Sequence, residues 1–271
     1  MSKQEYTLAF VLSSLKKDIQ RIDLNNLLAF ISANIVHENS FDFVMSNSGI
    51  FSYELENTIK RFKEKRILNA NGIVSIENID EISSRAQRVS VDDQMNILKL
   101  IKEFYTNPQD SLSKIANLYT QSAKHAQKNT IFTAGYEGVS VDSFILRILN
   151  AGIKNIVDVR CNPISRKFGF SKGQLSGICE SVNLAYSHIP ALGIPSESRK
   201  SLTCKNDYQI LFAEYERTIL ENTNQEQESL IEVAYAAPTV LICFEADKNM
   251  CHRTRLAKRI SKKSGMKIMD I

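Results

Sequence analysis

The stretch Val157-Asp158-Val159-Arg160-Cys161-Asn162-Pro163 is an apolar run that ends abruptly in charged and thiol side chains. A second stretch, Cys243-Phe244-Glu245-Ala246-Asp247, has the same plan and runs on to Cys251-His252-Arg253. Buried parallel strands have this pattern, because they deliver their polar residues to one edge of the sheet. We therefore expect the two segments to meet at one site.

The chain around these stretches alternates between strand-like and helix-like patterns. This alternation predicts an α/β domain over 128–271 with a mainly parallel sheet and helices on both faces. The predicted strands are Ile131–Ala134, Ile156–Val159, Ala185–Ile189, Val240–Phe244 and Met266–Met269. The predicted helices are Val141–Asn150, Lys172–Asn183, Asp207–Ala234 and Thr254–Lys263.

Residues 1–127 have mainly helical spacing, which predicts a mainly α, winged-helix-like interaction domain. Asp23 and Ser52 are candidate caps for the second and third helices. Asn71-Gly72 predicts a turn before a short strand at Ile73–Ile76, which would form a small wing. Further helices are expected at Asp92–Tyr105 and Ser111–His125, and the polar stretch from Ser122 to Asn129 is interpreted as the linker.

The composition is that of an ordinary globular protein with room for two domains in 271 residues. No apolar run reaches the roughly 18 residues that span a bilayer, and no secretory leader is evident, so we expect a cytoplasmic protein without a membrane partner. Five cysteines in no disulfide framework agree with a reducing compartment. The formal net charge of +4 says little by itself about partners.

An anion site is the strongest functional expectation from the two opening stretches. His252 and Arg253 lie at the predicted start of a helix, where free backbone N–H groups and the helix dipole favour phosphate or sulfate. Arg160 could hold a second oxygen of the same anion. Alternatively, Arg253 pairs with Asp158 or Glu245 and only ties the sheet edge together.

Three carboxylates are candidates for catalysis: Glu137, Glu245 and Asp158. Glu137 and Glu245, with the neighbouring Tyr136, would suffice for general acid–base chemistry. Asp158 ends an apolar strand and needs a partner, so it is expected to orient Arg160. Alternatively, Glu137 has no catalytic role, and the glycines beside it serve only to let the chain turn.

The cysteines support weaker expectations. Cys161 is disfavoured as a nucleophile because Pro163 removes a backbone donor from the loop that follows. Cys243 and Cys251, together with His252 and His188, could ligate a transition metal. Their spacing matches no CxxC knuckle, so no metal site is predicted and any cofactor stays unknown. Cys243 is interpreted as a structural thiol. Cys251, near a helix start, is expected to have a lowered pKa.

Two basic segments are candidates for contacting nucleic acid. The first is a cluster in the N-terminal half, and the second is a loop that interleaves cations with Phe168 and Phe170, which could stack on bases. The alternatives are a solvated helix face and an anchored surface loop. The candidate residues are Lys60, Arg61, Lys63, Lys65, Arg66, Arg166, Lys167 and Lys172.

The C-terminal half resembles the bacterial domain-of-unknown-function family numbered 488. The resemblance rests on Thr133–Gly138, Val157–Pro163, Lys167–Lys172, His188–Gly193 and Cys243–Arg253. It implies a compact α/β domain and supplies no activity. The shared cleft that it implies is built from Tyr136, Glu137, Asp158, Arg160, Cys243, Glu245, Cys251, His252 and Arg253.

The N-terminal half is similar to the antitoxin-associated Panacea domain. The similarity rests on Phe41-Asp42-Phe43-Val44 and on Ser48-Gly49-Ile50-Phe51-Ser52-Tyr53-Glu54-Leu55, although Ile50 stands where the family usually has proline. It implies a helical interaction domain of toxin–antitoxin or mobile-element systems, and hence a protein partner.

Two functions of different classes agree with these features. The first is an enzyme that acts on a phosphate-containing ligand, a nucleotide or nucleic acid, in the C-terminal cleft. The second is a non-catalytic regulator that binds nucleic acid or protein.

Overall fold

The computed structural model describes residues 2–15, 17–35, 41–120, 127, 129–199 and 205–271. The chain divides into two compact units, 1–121 and 122–271. Most of the predicted linker, Ser122 to Asn129, and the end of the helix predicted to reach His125 lie outside the described residues.

The N-terminal unit is a helical body with a small antiparallel sheet. Its core is formed by apolar residues of the first three helices, such as Leu8, Leu27 and Phe62, which are buried. The elements are α1 (Lys3–Leu15), β1 (Ile19–Gln20), α2 (Arg21–Asn34), β2 (Val44–Ser46), β3 (Gly49–Phe51), α3 (Tyr53–Glu64), β4 (Leu68–Asn71), β5 (Ile73–Ile76), α4 (Ile79–Ala86), α5 (Val91–Thr106) and α6 (Pro108–Thr120).

Local signals explain most of these boundaries. The Ser52 hydroxyl accepts from the backbone N–H of Leu55, so the predicted cap of α3 is confirmed. Gly72 has a φ of +91° and turns the chain between β4 and β5. The prediction for Asp23 was wrong, because α2 begins at Arg21 and Asp23 lies in its first turn. There a carboxylate favours the helix through the dipole.

The C-terminal unit is built on a five-stranded parallel sheet of order β10-β6-β9-β7-β8. The predicted strands are confirmed, and each observed strand differs from its prediction by one residue at most at either end. The elements are β6 (Thr130–Gly135), α7 (Val141–Asn150), β7 (Asn155–Asp158), α8 (Lys172–Ser181), β8 (Ala185–His188), α9 (Lys205–Asn222), α10 (Asn224–Ala236), β9 (Thr239–Cys243), α11 (His252–Ser264) and β10 (Lys267–Asp270).

The helix predicted over Asp207–Ala234 is two helices. The chain breaks between α9 and α10 at Thr223, whose φ of −118° and ψ of 40° are not helical. The Thr223 hydroxyl donates to the carbonyl of Ile219 and closes the end of α9. A threonine break without Gly or Pro carries almost no sequence signal.

The three central strands β6, β9 and β7 are buried on both faces, which explains their continuous apolar runs. One face packs Ile131, Val157 and Leu241 against apolar residues of α9, α10 and α11. The alternate strand residues, such as Ile156 and Ile242, are buried as well. No helix among the described residues is long and apolar enough to cross a membrane.

Candidate functional site

A pocket of about 300 Å³ opens beyond the carboxyl ends of β6, β7 and β9. These strands are neighbours in the sheet, so Tyr136, Arg160 and Glu245 converge there. The charged groups that line the pocket are Arg160, Arg166, Arg199 and Glu245, and Cys161 and Cys243 also contribute to the wall. Three guanidinium groups and one carboxylate give the lining a positive balance.

Asp158 and Arg160 form a buried ion pair beneath this pocket. The Asp158 carboxylate is fully buried and accepts from Arg160 Nε at 2.8 Å and from the Tyr186 hydroxyl at 2.7 Å. Arg160 Nη1 also donates to the Tyr136 hydroxyl. Since its oxygens are already engaged, Asp158 is arranged to orient Arg160 rather than to transfer a proton.

The loop that is a candidate for contacting nucleic acid is anchored to the fold. Phe170 is fully buried and stacks on the Tyr136 ring, with a centroid distance of 4.1 Å and an interplanar angle of 9°. Lys167 Nζ donates to the Tyr136 carbonyl at 2.8 Å. Arg166 and Lys172 remain exposed, and of these two Arg166 lines the pocket. Burial raises the pKa of Tyr136.

Four donor atoms cluster at the wall of the pocket. Glu245 Oε2 lies 3.1 Å from Cys243 Sγ and 3.0 Å from Cys251 Sγ. Cys243 Sγ is 3.7 Å from His252 Nδ1. The two sulfurs and a ring nitrogen of His252 all lie within 4.8 Å of one another, and the three residues are buried. The fold thus brings together cysteine and histidine side chains whose sequence spacing matched no CxxC knuckle.

The pKa values of the Cys243 and Cys251 thiols are shifted in opposite directions. Hydrogen bonding from the Cys251 thiol, helped by the Arg199 guanidinium, places the pKa of Cys243 well below its ordinary value. Burial and the Cys243 sulfur raise the pKa of Cys251, so the expected lowering at Cys251 was wrong. Although α11 begins at His252, the burial of the Cys251 thiol outweighs the helix N-terminus. Burial and Cys243 also raise the pKa of the Glu245 carboxyl.

Arg253 and Glu137 hold the loop after β9. Arg253 is fully buried and donates to the carbonyls of Glu245 and Ala246, and it faces the Asp270 carboxylate at 3.5 Å. Glu137 Oε2 accepts from the backbone N–H of Ala246 at 3.0 Å. Neither residue is among the described residues that line the pocket.

His252 lies inside the wall rather than on the pocket surface. Its Nε2 is 3.0 Å from the Val159 carbonyl, which fixes the proton on Nε2. Its Nδ1 is 3.1 Å from Arg199 Nη2, so the lone pair of Nδ1 faces a donor. His252 also lines a second, smaller cavity of about 140 Å³ beside Tyr208 and Met250.

The basic cluster of the N-terminal unit is partly engaged in its own unit. Arg61 Nη2 lies 3.1 Å from the buried Glu5 carboxylate. Lys63 Nζ donates to Asn71, and Lys60 lies 4.0 Å from Glu64. Lys65 and Arg66 are exposed.

Sequence reasoning missed Arg199 and the close backbone contacts around the site. Arg199 ends a short 3-10 turn at Ser196–Arg199, far from any strand end, and its Nη1 donates to Glu245 Oε1 at 2.9 Å. A Cβ on Gly193 would lie 2.1 Å from the backbone nitrogen of Cys161. The sequence signal for this contact was the glycine that follows Pro190-Ala191-Leu192.

One family model matches part of this unit. No curated protein and no solved structure matches the chain. The similarity of residues 1–127 to the Panacea domain stays a prediction. The family model described as "Domain of unknown function DUF488" matches residues 140–260. The match contains Asp158, Arg160, Glu245 and His252, so the expected resemblance of the C-terminal half to this family is confirmed.

Proposed function

We propose that the C-terminal unit binds a phosphate-bearing ligand, a nucleotide or a nucleic-acid end, in the pocket lined by Arg160, Arg166 and Arg199. The observation that carries this proposal is the convergence of three guanidinium groups on one cavity that has Glu245 as its carboxylate. Guanidinium forks match phosphate oxygens in geometry and keep their charge at any physiological pH.

The three arginines have different parts in the proposal. Arg160 is held by Asp158, so its direction is fixed before a ligand arrives. Such preorganisation reduces the entropy that binding costs. Arg166 is exposed and is the group that a ligand would order. Glu245 is the candidate to transfer a proton if the bound ligand reacts.

Arg253 does not contact the ligand in this proposal. His252 acts on ligand binding only through its contact with Arg199. Arg253 has no exposed surface, and its Nη1 and Nη2 already donate to backbone carbonyls. A ligand would have to break these bonds to reach the guanidinium, and a buried charge that loses its partners is costly.

The second candidate function is a non-catalytic regulator, and the topology of the N-terminal unit favours it. The strand order β1-β5-β4, with helices α1, α2 and α3 before the β4–β5 hairpin, supports the proposal of a winged-helix-like module. In such a module α3 would face nucleic acid. However, α3 carries Glu54, Glu56 and Glu64 beside its cations, so a protein partner competes with nucleic acid for this surface.

Calorimetry with inorganic phosphate, sulfate and a set of nucleotides tests the pocket. We expect the full-length protein to bind at least one of them, and Arg166→Ala to weaken that binding about tenfold, because one charge-assisted contact contributes about 1.5 to 3 kcal/mol. Arg217→Ala is the matched control, since Arg217 is an exposed arginine of α9 outside the pocket.

The outcomes separate the two functions. If no ligand binds the wild type, or if Arg217→Ala weakens binding as much as Arg166→Ala does, the anion site is refuted. If a nucleotide binds and is converted, Glu245→Gln should bind it but no longer convert it. Binding without conversion of any nucleotide would favour the regulator.

A further inference from the structure

We propose that Cys243, Cys251 and His252 bind a thiophilic divalent cation such as Zn²⁺, with Glu245 at the fourth position. This proposal is independent of the anion pocket. It rests on the side chains that converge between the end of β9 and the start of α11.

The distance between Cys243 Sγ and His252 Nδ1 agrees with a tetrahedral site, and the two distances from Glu245 Oε2 to the sulfurs are shorter than such a site requires. Zinc–sulfur bonds of about 2.3 Å and zinc–nitrogen bonds of about 2.0 Å place neighbouring ligand atoms about 3.5 to 3.8 Å apart. Cys243 Sγ and His252 Nδ1 are separated by 3.7 Å. Glu245 Oε2 is nearly equidistant from the two sulfurs, at 3.1 and 3.0 Å. Small shifts of these side chains would admit the cation.

The surroundings of His252 are those of a metal ligand. Its Nε2 donates to the Val159 carbonyl, which leaves Nδ1 unprotonated and directed at Cys243. Metal-binding histidines almost always donate their other ring N–H to a carbonyl or carboxylate, which orients the ring. The ring is also held edge-on against Tyr215, with centroids 5.5 Å apart.

Arg199 occupies the position next to these donors in the present conformation. Its Nη2 lies 3.1 Å from His252 Nδ1, while its Nη1 donates to Glu245 Oε1. Arg199 is partly exposed and its Nε has no hydrogen-bond partner within the described part of the chain, so its side chain can withdraw from Nδ1. Nη1 can stay on Oε1 while Oε2 turns to the cation, which gives the carboxylate a partner at each oxygen.

The composition of the ligand set indicates the class of metal. Two thiolates and an imidazole select Zn²⁺ and similar borderline ions over Mg²⁺ or Ca²⁺, which prefer oxygen ligands. Three such ligands with an exchangeable fourth group are typical of catalytic zinc sites, whereas four permanent ligands are typical of structural ones. Because Glu245 also lines the 300 Å³ pocket, the fourth position faces the cavity.

Metal analysis of the full-length protein tests the proposal. Protein stripped with EDTA and dialysed against Zn²⁺ should hold one zinc ion per chain, and Cys243→Ser and Cys251→Ser should each abolish this binding. Cys161→Ser is the matched control, because Cys161 lies in the same unit and outside the donor cluster. Circular dichroism of each variant reports whether it folds.

A measurement on the wild type avoids the risk that the variants unfold. Co²⁺ in place of Zn²⁺ should show intense visible bands of tetrahedral coordination and a thiolate-to-cobalt charge-transfer band. If the wild type binds no Zn²⁺, or if bound Co²⁺ shows no thiolate charge transfer, the site is refuted. Arg199→Ala should keep zinc while weakening phosphate binding, so the two proposals can fail separately.

Discussion

Gly135 lies so close to Glu245 that a Cβ on Gly135 would be 2.0 Å from the Glu245 carbonyl oxygen. Any side chain at Gly135 must therefore push away the backbone that carries Glu245. We expect Gly135→Ala to lower the free energy of unfolding of the C-terminal unit by about 1 to 3 kcal/mol, as overpacking does.

The matched control for Gly135→Ala is Gly177→Ala in α8, where a Cβ meets nothing within 4 Å. Alanine is favoured over glycine inside a helix, so this variant should gain about 0.5 to 1 kcal/mol. Urea unfolding of both variants measures the difference. Equal midpoints for the two would contradict the crowding at Gly135.

Asp158→Asn should destabilise the C-terminal unit more than Tyr186→Phe does. The first change leaves the buried Arg160 guanidinium without its counter-charge, which costs about 3 to 5 kcal/mol. The second keeps the ion pair and removes one hydrogen bond to the carboxylate, worth about 1.5 to 3 kcal/mol. The reverse order in denaturant unfolding would show that Tyr186, rather than Arg160, is the main partner of Asp158.

Cys161 should react with a thiol reagent well before Cys179 in the folded protein. Cys161 is partly exposed, whereas Cys179 has no exposed surface and burial raises its pKa to about 12. Only the thiolate is nucleophilic, so both exposure and ionisation disfavour Cys179. Mass spectrometry of peptides after timed alkylation measures the two rates, and equal rates would contradict this environment for Cys179.

The same raised pKa of Cys179 predicts an alkaline loss of stability. A thiol whose pKa is raised by folding stabilises the folded state fully below its ordinary value of 9.0, and this contribution is lost as pH rises towards about 12. Cys179→Ala should therefore make the stability of the C-terminal unit fall less steeply across this range. If Cys179→Ala has the same pH dependence of stability as the wild type, the assignment is refuted.

The basic cluster of the N-terminal unit predicts weak binding to duplex DNA that falls with salt, with a slope near 0.9 per phosphate neutralised. We expect Lys60→Ala combined with Lys65→Ala to reduce both affinity and slope. Arg61 is left in place because it pairs with the buried Glu5. The control is Lys99→Ala combined with Lys102→Ala on α5, and equal effects of the two pairs would favour a protein partner for this unit.

The periodic parts of the fold could be predicted from sequence, and the site only in part. Apolar strand runs and the cap at Ser52 are local signals. For this reason the strands β6 to β10 and the start of α3 could be predicted from the sequence. The two-residue strand β1 at Ile19–Gln20 exists only because it pairs with β5, which no local pattern reports.

The roles of site residues depend on burial, which the sequence does not state. Arg253 follows Cys251-His252 at a helix start, where an arginine can meet either a ligand or a carbonyl. In the structure, Arg253 donates hydrogen bonds to the carbonyls of Glu245 and Ala246. Arg199 reaches Glu245 from 46 residues away, and a contact of that kind needs the tertiary fold.

The buried guanidinium of Arg253 joins α11, the loop after β9 and, through Asp270, the last strand. A segment that is tied to the core in this way has no low-energy route to opening on its own. The backbone N–H of Ala246, which donates to Glu137, should therefore be protected from hydrogen exchange. The unit then has few partly formed states in which the buried thiols of Cys243 and Cys251 would be exposed.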